Sequence, residues 1–141
     1  MATILEVLYN QKTAYRESDF SVLHSAVRRR ITQRSLLLLF TNFETVYGLQ
    51  RQLPFIKNLA HRHLVVVIFF ENTEMKSLIE KKAESLQSIY YKSVAEKFSY
   101  EKKMIVRELH KNGIQALLTP PENLTVNTIN KYLELKARNV I

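Results

Sequence analysis

The chain has 141 residues, of which 46% are hydrophobic and 24% charged, and this composition predicts one globular domain rather than a disordered segment. It contains no cysteine, which excludes disulfides and thiolate metal sites, and its formal net charge is +8. The longest apolar runs, Leu36–Phe40 and Leu64–Phe70, fall far short of the roughly 20 residues that a membrane-spanning helix needs. Residues 1–10 carry no signal-peptide pattern, so we expect a soluble, cytoplasmic chain with no membrane segment.

The first half of the chain predicts a helix, a strand and a second helix. Residues 19–33 place apolar side chains on one helical stripe, and Ser18 or Asp19 is suited to cap its start. Residues 35–41 form a continuous apolar run, typical of a parallel strand covered on both faces. Residues 44–60 return to helical spacing, and we expect Pro54 to kink this helix or to begin a new turn.

The second half continues the alternation. Residues 63–70 are a second continuous apolar run, which predicts another covered strand. Gly113 is suited to end a long helix in the left-handed conformation. In the last helix we expect Val126, Ile129 and Leu133 to form the apolar stripe. In chain order, we predict after the second strand a helix over 74–86, a helix over 88–112, a weaker strand over 114–118 and a helix over 124–138.

This order predicts a three-layer α/β fold, in which a short parallel sheet of about three strands is flanked by helices. In such sheets ligands bind at the carboxyl ends of the strands, here Thr41-Asn42, Glu71-Asn72 and Thr119-Pro120. Strand 35–41 would leave one apolar edge unpaired, which native proteins avoid. We therefore interpret residues 1–141 as a single unit that is part of a larger sheet, and we expect self-association in isolation.

Few motifs carry chemistry. The chain has two glycines, Gly48 and Gly113, which excludes a dinucleotide-binding turn and a phosphate-binding loop. His61 and His63 could both point to one metal, but a site needs further ligands, and polar residues at a helix-to-strand turn are the better interpretation. We find no complete catalytic constellation and expect neither an enzyme nor a cofactor.

Two groups of residues remain as binding candidates. Thr41 and Asn42, with Glu44 nearby, follow a buried strand and are placed either for ligand contact or for capping the next helix. Arg28, Arg29, Arg30 and Arg34 could bind an anion, although the basic last turn of a helix explains them more simply. The remaining positive charge is interleaved with acids, so we expect no specific nucleic-acid binding.

Several segments resemble the carboxyl half of the bacterial DUF58 proteins: residues 34–44, 61–71 and 121–124, and the ending Tyr-Leu-Glu-Leu-Lys-Ala-Arg at 132–138. The resemblance implies the last three strands of a six-stranded, von Willebrand factor A-like domain. DUF58 genes often accompany genes of MoxR-type AAA+ ATPases, so the resemblance also implies a protein partner of that class.

A von Willebrand factor A domain binds a metal ion at the carboxyl edge of its sheet. The Asp-x-Ser-x-Ser loop of that site is absent from these residues. Its second element would align near Glu17, Ser18 and Asp19, and its third, an aspartate, aligns with Asn42, which is neutral. The resemblance thus implies a remnant edge at Ser18, Asp19, Thr41 and Asn42, and no metal.

Three hypotheses follow. The first is a non-enzymatic protein-interaction module that binds through its strand ends. The second is a divalent-metal-dependent adhesion site completed by residues outside this chain. The third is polyanion binding through the four arginines.

Overall fold

A computed structural model describes residues 2–12 and 18–140. It confirms the predicted α/β class, with a three-stranded parallel sheet flanked by helices. The elements in chain order are α1 (Ala2–Tyr9), α2 (Phe20–Arg30), β1 (Leu36–Phe40), α3 (Val46–Arg62), β2 (Leu64–Phe70), α4 (Thr73–Glu80), α5 (Leu86–Lys111), β3 (Gln115–Thr119), a 3-10 turn (Pro121–Asn123) and α6 (Leu124–Ala137).

The sheet has the strand order β1-β2-β3, and both pairs are parallel. Leu36 of β1 lies opposite Leu64 of β2, and Val66 of β2 lies opposite Gln115 of β3. The central strand is buried on both faces, because Val65–Phe69 are all inaccessible to solvent. This explains the continuous apolar run, because a strand with one solvent-exposed face would alternate apolar and polar residues.

The two faces of the sheet are covered unequally. Side chains of α2, α3 and α5 pack with Val65, Val67 and Phe69 into the larger core. On the opposite face Val66 and Ile68 pack against Leu135 of α6. Right-handed crossovers between sequential parallel strands run over the same face, so α3 and the α4–α5 pair share one side of the sheet. Among the described helices, α6 is left to cover the other side.

The edge strand β1 is incompletely covered. Its side chains Leu38 and Phe40 point to the α6 side, and Phe40 is 56% exposed. Within the described residues β1 pairs with β2 and with no other strand, so its outer backbone edge is open. The sequence correctly predicted this open edge, but β1 is not covered on both faces as its apolar run suggested.

Several expected boundaries were wrong. Helix α3 runs through Pro54 without interruption, so proline does not begin a new turn there. The helix expected over 74–86 ends at Glu80. Ser85 lies outside it, because its side chain accepts the N–H of Ser88 and caps the next helix, α5. An N-cap residue must be non-helical, so one helix cannot continue through it. Helix α1, whose residues are all exposed, was not predicted.

The apolar stripe predicted for α6 was also wrong. Val126, Ile129 and Leu133 are exposed, while the helix turns Leu135 into the core. Asn127 fixes this orientation, because its Nδ2 donates to Oγ1 of the fully buried Thr119 at 2.7 Å. The result is an exposed apolar ridge on α6, on the side of the sheet where Leu38 and Phe40 of β1 are also exposed.

The two glycines provide a matched test of the backbone conformation, because one has a positive φ and the other lies in a helix. Gly113 has φ +74°, so we expect Gly113→Ala to lower the free energy of unfolding by about 1–2 kcal/mol. Gly48 lies in α3, where an added Cβ would meet Thr45 Oγ1 at an ordinary 3.4 Å. Gly48→Ala should raise the free energy of unfolding by about 0.5–1 kcal/mol. Urea unfolding measures both, and equal effects would contradict the assigned conformations.

Candidate functional site

The loop between β1 and α3 holds Asn42 in an unexpected role. Thr45, not Thr41 or Asn42, caps α3, because its side chain accepts the N–H of Gly48 at 3.0 Å. The capping interpretation of Asn42 was therefore wrong. Asn42 instead donates from Nδ2 to Glu44 Oε1 at 2.6 Å and accepts a hydrogen bond at Oδ1 from the ammonium of Lys102.

Helix α5 fixes this loop with two consecutive side chains. Glu101 Oε2 accepts the N–H of Val46 at 3.0 Å, so it satisfies a free donor in the first turn of α3. Lys102 reaches Asn42 and lies 3.8 Å from Glu44 Oε1. The β1–α3 loop is thus tied to a helix about 60 residues further along the chain.

Lys102 is the most unusual charged residue at this edge. Its side chain is only 9% exposed, and its Nζ lies 5.5 Å from the centre of the Phe69 ring. Burial lowers the pKa of Lys102 below its ordinary value, while the negative charge of Glu44 acts in the opposite direction. A buried lysine is costly unless paired, so its position beside open space points to a functional site.

Two cavities flank Asn42 and Glu44, which line both of them. The larger, of about 540 Å³, lies between the ends of β2 and β3, the start of α4 and the middle of α5. Lys102 lines it, with Lys76 and Lys103 and with Glu71 and Glu74. The smaller, of about 400 Å³, is lined by Ser18 and Thr41 together with the first turn of α3. The carboxyl edge of the sheet is therefore concave, as the strand order predicts.

The residues predicted for the remnant edge are only partly brought together. Ser18, Thr41 and Asn42 line the smaller cavity. Asp19 instead caps α2, accepting the N–H groups of Ser21 at 2.9 Å and Val22 at 3.3 Å, and the hydrogen bond from the Ser21 side chain leads the lowering of its pKa. Glu17, which the resemblance placed here, lies outside the described residues.

The four arginines lie away from this edge. Arg28, Arg29 and Arg30 are exposed in the last turn of α2, where their charge favours the helix dipole. An 11-residue helix is about 16 Å long, so this turn is remote from the cavity at the other end of α2. Arg34 donates to the carbonyl of Val140 at 3.3 Å, at the start of β1.

The residues at this edge do not fit a divalent cation. The ammonium of Lys102 already donates to Asn42 Oδ1, and its positive charge repels a cation. Within residues 2–12 and 18–140, no three His, Asp or Glu side chains are grouped to hold a metal. His63 is buried and accepts the N–H of Ser35 at Nδ1, while His61 is exposed in the last turn of α3.

Comparison of the chain with protein-family models, with curated proteins and with solved structures finds no match. In the part of the chain that the structure describes, no helix is both long and apolar enough to cross a membrane.

Sequence reasoning missed Lys102. The residue stands in a helix where charged residues of both signs alternate, a pattern that predicts a solvated face. One signal was available: Lys102 lies three residues before Ile105 and four after Phe98, which places it on the apolar side of the predicted helix.

The lowered pKa of Lys102 predicts a pH dependence of stability. Between its folded pKa and the ordinary value of 10.5, the unfolded chain binds the proton more tightly than the folded chain. The free energy of unfolding contributed by this group therefore rises with pH over that window. Urea unfolding of the wild type and of Lys102→Met from pH 7 to 10.5 should show a smaller rise for the variant. Parallel curves would contradict the burial of this ammonium.

Proposed function

We propose that this chain is a non-enzymatic protein-interaction module that binds a protein partner at the carboxyl edge of its sheet. The surface consists of the two cavities and of Asn42 and Glu44 between them, and we call it the strand-end surface. One observation carries the proposal: a buried ammonium is held at the wall of an open cavity by a loop and a helix that fix each other. Such a rigid, charged, concave surface suits recognition.

We further propose that the chain is the carboxyl half of a von Willebrand factor A-like domain of the DUF58 type. The sequential order of its parallel strands and the open edge of β1 support this, since a further strand could pair there. The partner class that follows is a MoxR-type AAA+ ATPase. Lys102 weighs against the alternative of a completed metal site, because it supplies a positive charge where a cation would bind.

The strand-end surface can be tested with a purified MoxR-type ATPase from the same genome. Ser99 is half-buried at the wall of the larger cavity, so Ser99→Arg should fill that space and weaken binding at least about tenfold by calorimetry. Arg29→Glu, in the exposed last turn of α2, is the control and should bind like the wild type.

If Ser99→Arg binds as tightly as the wild type, the strand-end surface is not the interface. If the wild type itself does not bind the ATPase, the proposed partner class is wrong. Circular dichroism of each variant separates loss of binding from loss of fold.

We also propose that the isolated chain self-associates through its α6 side. Exposed Val126, Ile129 and Leu133 form a ridge on α6, and Leu38 and Phe40 of β1 are exposed on the same side of the sheet. Several exposed large apolar side chains on one side of a sheet favour association, and a two-fold pair would bury the same residues on both copies.

We expect Leu133→Lys to shift the sedimentation profile toward monomer, because it places a charge in the buried patch. Leu86→Lys is the matched control: Leu86 is even more exposed, but it begins α5, which packs on the opposite side of the sheet. A strictly monomeric wild type at high concentration would disprove the proposal, and equal effects of both substitutions would place the interface elsewhere.

A further inference from the structure

The larger cavity contains hydrogen-bond donors that the described residues do not use. A lysine ammonium has three N–H donors, and one of those of Lys102 goes to Asn42 Oδ1. Glu44 Oε1, at 3.8 Å, is an ion-pair partner but lies beyond hydrogen-bond distance. Within residues 2–12 and 18–140, no other acceptor is hydrogen-bonded to this nitrogen. Two donors therefore remain for a group that enters the cavity.

Glu44 does not occupy these donors in the structure, because its carboxylate is hydrogen-bonded to Asn42. Its Oε1 accepts from Asn42 Nδ2 at 2.6 Å, and its side chain is 61% exposed and solvated. A solvated carboxylate compensates a buried ammonium weakly. Phe69 closes the space behind the ammonium, since its ring lies 5.5 Å away and is fully buried. Lys102 lines the larger cavity, so a group in that cavity can reach the free donors.

From this geometry we infer that the larger cavity receives the carboxylate of an acidic side chain of the protein partner, bound by the ammonium of Lys102. The inference rests on the proposed function, because it gives the chemistry of the partner at the strand-end surface. A carboxylate offers two oxygens to the two free donors, and hydrogen bonds between charged groups are the strong ones in proteins. The volume of about 540 Å³ is sufficient for one side chain and its neighbours.

The acidic residues of the cavity limit which anion can enter. Glu44, Glu71 and Glu74 line it together with Lys76, Lys102 and Lys103, so its formal charge is balanced. A phosphate group carries about −1.5 to −2 charges at pH 7. Because the formal charges of the lining cancel, this extra negative charge gains no net attraction, whereas a single carboxylate matches the one buried ammonium. The same glutamates favour basic residues on either side of the entering acid. The partner segment is therefore an acidic residue flanked by lysine or arginine.

A pair of blocked tripeptides tests this inference on the whole chain. Acetyl-Lys-Glu-Lys-amide should perturb the amide resonances around α5 and the start of α4 in a saturable way. Acetyl-Lys-Gln-Lys-amide, which lacks the charge, should bind at least about tenfold more weakly. Lys102→Met should abolish the difference between the two peptides. Lys97→Met, at an exposed position of the same helix that does not line the cavity, should preserve it.

A second measurement needs no variant. Acetylation of the wild type by an amine-reactive ester, read by mass spectrometry, should show that the glutamate peptide protects Lys102 and does not protect the exposed Lys97, each compared with labelling in the presence of the glutamine peptide, whose two amines consume the same amount of ester. Equal binding of the two peptides, or protection of both lysines, would overturn the inference. Inorganic phosphate that competes better than the peptide would make the site a phosphate site, and Mg²⁺ that competes would make it a cation site; either result overturns it.

The two proposals can fail separately. If the tripeptides discriminate through Lys102 but the ATPase does not bind, the carboxylate site stands and the partner class is wrong. If the ATPase binds in a manner sensitive to Ser99→Arg while the tripeptides do not discriminate, the strand-end surface stands and the carboxylate inference is overturned.

Discussion

The handedness of the crossover connections determines most of this architecture. Because β1, β2 and β3 are adjacent, parallel and sequential, right-handed crossovers carry α3 and the α4–α5 pair over the same face of the sheet. Three consequences follow from this single constraint. The carboxyl ends of all three strands meet at one edge, α3 and α5 become neighbours, and the opposite face is left to α6 among the described helices.

The site depends on the second of these consequences. Glu101 and Lys102 can reach the β1–α3 loop only because α5 lies beside α3 on the same face. The two side chains perform different tasks: Glu101 satisfies the start of α3, and Lys102 brings a charge to the edge of the cavity. Lysine suits the second task, because its long apolar stem can pass the Phe69 ring while its ammonium reaches polar groups.

The sequence predicts the fold better than the site, for a physical reason. Strands β1 and β2 are continuous apolar runs, which can be recognised from a few neighbouring residues. Gly113 and Asp19 likewise act on their immediate neighbours. The role of Asn42 depends instead on Lys102, 60 residues away, which no local pattern encodes. Thr45 rather than Asn42 caps α3 because the choice among several nearby polar residues depends on the exact residue at which the helix begins.

The orientation of α6 on the sheet is a second feature that the local sequence does not determine. Helical spacing correctly groups Val126, Ile129 and Leu133 on one side of the helix, but spacing cannot say which side faces the sheet. The hydrogen bond from Asn127 to Thr119, and the packing of Leu135 on Val66 and Ile68, turn that stripe outward. These inner contacts must hold α6 on the sheet without help from the outward apolar side chains. The ridge therefore stays available for another molecule to cover.

The two open surfaces differ in chemistry and lie on different parts of the sheet. The strand-end surface carries charged side chains, is concave and lies where the strands end, whereas the ridge of α6 and the side chains of β1 are apolar and lie on one face. A molecule bound at one need not cover the other. Charge and free donors make the strand-end surface selective for a particular partner group. The apolar α6 side offers contact area but no directional hydrogen bonds. Specific recognition is therefore expected at the carboxyl edge, and assembly on the α6 side.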